Sequence, residues 1–244
     1  MRRIALALLL ALAAPAMLRA QEPCPAASSQ PLALPATRAA LAQGRKVTII
    51  AFGSSSTEGS GASGQDRAYP AVLEAALHTA LPEARLRVLN RGRGGEEIEE
   101  MMVRLETDVI AVRPTLVIWQ AGANAVLRGM DPEAFSATMA YGIERVRAHG
   151  ADVLLMDSQR APRIIHAPHF ERFDMALNTL SVRLQVPLFS RAALMDSWAA
   201  SGLPASAVIG PDELHHNDRG YGCLARALAQ SMVASLGPRH IAGR

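Results

Sequence analysis

Aromatic side chains, cysteine and lysine are all scarce in this chain. Phe, Trp and Tyr make up 4% of its 244 residues, there are two cysteines, and Lys46 is the single lysine. With so few aromatics and no basic stripe for them to interleave, the stacking surfaces that bind nucleic acid are excluded. Net charge does not reopen that door. The chain has 25 Lys+Arg against 22 Asp+Glu, but Arg2, Arg3 and Arg19 fall in the first twenty residues, so the remainder is formally neutral. Cys24 and Cys223 stand in no CxxC and no Cys/His spacing, which excludes a thiolate metal site or a paired redox motif.

Long apolar runs are also missing beyond the first twenty residues. Ile4 to Leu18 is mostly Ala and Leu, but it is short for a membrane span and is interrupted by Pro15. It follows a positive start, Met1-Arg2-Arg3, and precedes a small-residue cleavage position at Leu18-Arg19-Ala20. That layout predicts a signal peptide over residues 1–20, export to a periplasmic or extracellular space, and no stable membrane insertion after its removal. In an oxidising compartment Cys24 and Cys223 are expected to pair, pinning the N-terminal arm to the last helix.

Residues 21–46 are rich in Pro, Ala and Gln and read as an extended arm with a short helix around Thr37 to Ala42. From Val47 to residue 238 the pattern alternates as one domain. Predicted strands at Val47 to Phe52, Leu86 to Asn90, Thr115 to Gln120, Val153 to Met156 and Val186 to Phe189 are apolar and rich in β-branched residues. Between them lie helical patterns at Tyr69 to Leu81, Glu96 to Val112, from Asp131-Pro132 onward, and Phe170 to Leu184, with a last helix over Asp218 to Leu236. Alternation of this kind predicts an α/β fold, a three-layer α/β/α sandwich around a mainly five-stranded parallel sheet. The Met residues at 101, 102, 139 and 232 sit at helical core spacing and need no cofactor.

In a parallel sheet the loops after successive strands emerge at one edge, where ligands and catalytic groups gather. Three such loops carry chemistry. The first is Gly53-Ser54-Ser55-Ser56. The second is Asn90-Arg91-Gly92-Arg93-Gly94-Gly95, where a backbone N–H can approach a ligand closely. The third, Gln120-Ala121-Gly122-Ala123-Asn124, offers a side-chain amide. A fourth piece, Pro211 to Asn217, places the Asp212 carboxylate three residues before His215, where it can orient an imidazole that takes a serine proton. His216 points elsewhere and is expected along the cleft.

Taken in this order, Gly53-Ser54-Ser55, Asn90 to Gly95, Gly122-Ala123-Asn124 and Asp212 to His215 resemble the four blocks of the SGNH (GDSL-type) hydrolases, over about Val47 to Leu236. The resemblance implies a flavodoxin-like SGNH hydrolase fold and a serine esterase. Its nucleophile would be Ser55, its base His215 and its orienting acid Asp212. The oxyanion hole would comprise the N–H groups of Ser55 and Gly95 and the Asn124 side chain, with Gly92 in the cleft block shaping the loop. Two positions depart from the pattern: Ser54 stands where the family usually has Asp, and Ala125 follows Asn124 where Asp is common.

The expected substrate is a small-molecule or glycan ester with a short acyl group, foremost acetyl. The alternatives are a lysophospholipase, thioesterase or arylesterase of the same fold, or a non-catalytic envelope protein that binds acylated glycans. No metal or cofactor is expected. Gly59 to Gly64 matches GxGxxG, but it lies too far past the strand end at Phe52, and the second strand ends in Asn90 rather than an acid. His166 and His169 are separated by Pro168 and lack acidic company. With no GxSxG present, the nucleophile elbow of the α/β-hydrolases is excluded.

Overall fold

β1 (Val47–Gly53) is buried along its whole length, as a β-branched run must be when helices cover both faces of a parallel sheet. A computed structural model describes residues 23–236. In it β1 pairs with β2 (Leu86–Gly92) and β3 (Leu116–Gln120). β3 pairs with β4 (Asp152–Met156), and β4 with the short β5 (Leu188–Phe189). Every pairing is parallel and the order is β2-β1-β3-β4-β5. The expected five-stranded sheet is therefore the one formed, with the strand bounds moved by one or two residues. The expected signal peptide at 1–20 lies outside the described residues, as do residues 237–238 of the expected domain.

The helices are α1 (Pro35–Ala42), α2 (Ser55–Glu58), α3 (Tyr69–Ala80), α4 (Ile98–Asp108), α5 (Ala123–Arg128), α6 (Pro132–Ala148), α7 (Pro162–Ile165), α8 (Phe170–Leu184), α9 (Arg191–Ala200) and α10 (Asp218–Leu236). α3 packs on α10, while α6 packs on both α4 and α8. Asp131 opens α6 as expected, its carboxylate accepting from the N–H groups of Glu133 and Ala134 ahead of Pro132 at the first helical position. α9 escapes the sequence pattern. It is short and rich in alanine, and it buries Arg191 with Leu194, Met195 and Trp198.

The arm is part of the fold. Cys24 and Cys223 form a disulfide, with 5.4 Å between their α-carbons. Further along, the Gln30 side chain exchanges hydrogen bonds with the Ser190 backbone, and the N–H groups of Gln30 and Leu32 donate to Ser231 and Ser235 of α10. The chain then enters α1, where the N–H groups of Ala36 and Thr37 and the Thr37 hydroxyl all donate to Asp152 at the start of β4. The arm thus runs alongside α10 from the carboxyl edge of the sheet to its amino edge, and Leu32 and Leu34 bury there.

Candidate active site

β1 delivers the chain to the carboxyl edge of the sheet at Gly53, and the next turn begins α2. Ser54 is extended, and its carbonyl accepts from the N–H groups of Thr57 and Glu58, so Ser55 occupies the first helical position with its side chain outward. Beneath it the buried Gln120 side chain holds the turn. Its Oε1 accepts from the Ser54 N–H at 3.1 Å, the Ser54 hydroxyl at 3.3 Å and the Thr57 hydroxyl at 3.1 Å. The hydroxyl at position 54 donates to that acceptor.

β2 ends in register with β1, Gly92 opposite Gly53. A β-carbon on Gly92 would overlap the Glu58 nitrogen and the Thr57 carbonyl carbon, so only glycine lets the second loop lie against α2. Its N–H is taken by Asn90 Oδ1 at 2.8 Å, and Asn90 Nδ2 donates to the Glu58 carbonyl. Gly92 therefore packs and shapes; it does not line a cleft. Gly95 follows with φ +77°. The N–H groups of Ser55 and Gly95 have no acceptor among the described residues. From the third loop Asn124 Nδ2 donates to the Glu96 carbonyl at 2.7 Å, one of the two hydrogens the amide carries.

The fourth piece is a tight loop between Ile209 and His216, which form an antiparallel bridge. The Gly210 N–H donates to the His215 carbonyl, and Glu213 takes up φ +58° at the turn. Asp212 divides its two oxygens. Oδ1 accepts from the N–H groups of Leu214 and His215, each at 3.0 Å, and Oδ2 meets His215 Nδ1 at 2.6 Å. A carboxylate only accepts, so Nδ1 carries the proton and Nε2 presents its lone pair. That lone pair faces Ser55 Oγ at 2.8 Å. Burial alone would raise the Asp212 carboxyl. The bond from the His215 ring and the two N–H bonds more than offset it and hold the group below the usual carboxylate range. A hydroxyl, an imidazole and a carboxylate in one line can pass a proton from oxygen to ring as a bond forms at the oxygen.

The model of the Non-GDSL lipase-like family matches residues 22–237. The chain belongs to that family. The described residues also have the SGNH hydrolase architecture that the sequence resemblance implied. A two-domain esterase active on acetylated mannans, solved with mannopentaose, superposes with a TM-score of 0.72 at 20% identity, over 84% of this chain and 55% of its own. The acetylxylan esterase of Geobacillus stearothermophilus is 35% identical over 85 residues, 34% of this chain and 39% of that protein. The uncharacterized lipoprotein YqeF of Bacillus subtilis (strain 168) is 34% identical over 116 residues, 44% of this chain and 46% of that protein. The chain thus spans about half or less of the length of these curated relatives.

In this lipase-like family member His216 lies away from the cleft where it was expected. Neighbouring residues of an extended segment point to opposite sides, so with His215 turned to Ser55 its neighbour turns inward. His216 is wholly buried, its Nδ1 donates to the Val208 carbonyl at 3.1 Å, and its ring meets Tyr221 edge to face. Burial, aided by the nearby Arg191 charge, pushes it down to about 3, so it is neutral. His166 and His169 are exposed, and among the described residues no group of three or more His, Cys, Asp or Glu is placed to hold a metal ion.

Two residues to which the sequence reading assigned no role of their own hold the loops. Gln120 ends an otherwise apolar strand, and Arg104 sits between Met101 and Leu105 on the buried face of α4. A polar side chain at a position that periodicity assigns to the core was the available signal.

Proposed function

We propose that the chain is an exported serine esterase that removes short acyl groups, foremost O-acetyl, from carbohydrate. The observation that carries this is the continuous contact from Asp212 through His215 to Ser55. Ser55 Oγ attacks the ester carbonyl as His215 Nε2 takes its proton, and Asp212 stabilises the imidazolium. The tetrahedral oxyanion lies against the Ser55 and Gly95 N–H groups and the free amide hydrogen of Asn124. His215 returns the proton to the departing alcohol, leaving an acyl-Ser55. Water, deprotonated by the same imidazole, then attacks the acyl carbon, and the acid leaves as His215 returns the proton to Ser55 Oγ. The stated activities of the acetylxylan and acetylated-mannan esterases support an acetylated glycan as substrate. The predicted leader, the Cys24–Cys223 disulfide and a lipoprotein relative support export.

The test uses the purified chain with a fluorophosphonate, p-nitrophenyl acetate and acetylated xylan or mannan. The expected result is stoichiometric serine labelling and acetate release, both lost in Ser55→Ala. Labelling that survives Ser55→Ala overturns the nucleophile assignment. A strong preference for p-nitrophenyl octanoate over acetate overturns the acetyl-glycan substrate and favours the lysophospholipase or thioesterase reading.

A further inference from the structure

The three contributors to the oxyanion hole come from three separate loops, and one buried side chain reaches toward all of them. Arg104 projects from α4 and is 5% exposed. Its Nη2 donates to the carbonyl of Gly53 at 3.1 Å, two residues before the candidate nucleophile. Its Nη1 donates to the carbonyl of Arg91 at 2.9 Å, in the strand end that leads to Gly95. Its Nε and Nη2 meet the Glu96 carboxylate at 2.7 and 2.6 Å. Glu96 follows Gly95 directly, and its own carbonyl accepts the Asn124 amide at 2.7 Å. The guanidinium also lies 4.4 Å from the centroid of the Phe52 ring, and Nη1 meets Asp108 at 3.1 Å, a carboxylate shared with Arg93.

We propose that Arg104, through its contacts with Gly53, Arg91 and Glu96, is the positioning residue that sets the three oxyanion donors relative to one another. The guanidinium suits this task because its five donors radiate in one rigid plane, so one side chain fixes several acceptors at once. A lysine has the same charge but cannot hold two carbonyls and a carboxylate in a fixed fork. The cluster of Arg93, Arg104, Glu96 and Asp108 carries two charges of each sign and is internally balanced. The loops it joins close on one another so tightly that the space lined by Ser54, Glu96, Gly122 and Asn124 is about 10 Å³, at most room for one water. Arg104 touches neither the ester nor the reacting atoms. It acts through the backbone that carries the donors.

This inference rests on the esterase reading above, and the experiment separates the two. Arg104→Lys and Glu96→Gln are compared with wild type on p-nitrophenyl acetate, alone and combined with Asn124→Ala. Each single variant is expected to lower kcat by about 10- to 100-fold with KM changed less than about twofold. The acid limb of the pH–rate profile should stay in place, because Asp212 and His215 are untouched. In the Asn124→Ala background, where the hole is already broken, the further loss should shrink to about threefold or less. A loss of the same size in both backgrounds, or a kcat for both variants within about twofold of wild type, overturns the assignment of Arg104. Should Arg104→Lys fail to fold by circular dichroism, Glu96→Gln, which keeps the shape and the carbonyl, is read by the same criteria. Turnover that survives Ser55→Ala overturns the catalytic reading itself and this inference with it. A Ser55-dependent enzyme indifferent to both substitutions overturns only the inference.

Discussion

Replacing both cysteines with serine tests how much of the domain's stability resides in its one cross-link. Cys24 and Cys223 are 199 residues apart, so the bond closes nearly the whole described chain into a loop. For a loop of that length the chain-entropy relation gives about 18 cal/mol/K, or roughly 5 kcal/mol at 25 °C. The native arm offsets little of this when the bond is cut. Its remaining contacts to Ser190, Ser231, Ser235 and Asp152 exist in both variants and cancel in the comparison. A domain of this size shifts by about 2–4 °C per kcal/mol, so the variant should melt roughly 10 °C or more below wild type. Differential scanning calorimetry with and without reductant measures it, and reductant should move wild type to the variant's midpoint and leave the variant alone. A shift under about 2 °C would refute the reasoning, because it would mean the unfolded chain gains almost no freedom when the link is absent.

Asn124→Ala should lower kcat on a short acyl ester by about 10²–10³ with little change in KM, and a kcat near wild type would remove the amide from the mechanism. Gly92→Ala forces a methyl into the backbone of α2, so urea unfolding should show a loss of about 1–3 kcal/mol together with reduced turnover; an unchanged midpoint would contradict the close approach described. Asp157 is pushed up to about 6 by burial, only partly offset by the Ser190 hydroxyl, the Ala192 N–H and the Arg191 charge. Its folded value exceeds its unfolded one, so the stability it contributes is full below about pH 4 and is lost as pH rises through about 6, up to about 3 kcal/mol. Urea midpoints of wild type and Asp157→Asn should therefore diverge between those values, and parallel curves would refute it. Asp212 has the opposite sign: its lowered carboxyl contributes stability above about pH 4 that is lost as pH falls, and Asp212→Asn should flatten the acid side of that curve.

The fold was readable because each strand is an apolar run that ends in glycine or a polar loop, and β1 declares burial on both faces in its composition alone. Ser55, Asp212 and His215 could be singled out because they fall in loops expected at one sheet edge and in blocks that resemble those of the SGNH hydrolases, and the structure brings the three side chains into contact. His216 shows the limit. The spacing from Asp212 pointed to His215, which does face the serine. That its neighbour is buried against Val208 and Tyr221 and not set along the cleft depends on the bridge to Ile209, which spacing does not encode. Arg104 and Gln120 stayed hidden because each sits in an element whose neighbours satisfy the hydrophobic pattern, so the exception looked like noise. α9 was missed because alanine-rich helices that bury an arginine have almost no apolar stripe to find.

The link between Cys24 and Cys223 also decides where the domain is held. A pull applied upstream of residue 24 reaches the body at Cys223, eight residues past His215, and bypasses the stretch from residue 25 to β1. Tension would therefore be felt first by the helix behind the imidazole and last by the strand beneath the serine. Cutting the backbone anywhere in the arm after Cys24 would leave both fragments covalently joined until a reductant broke the link.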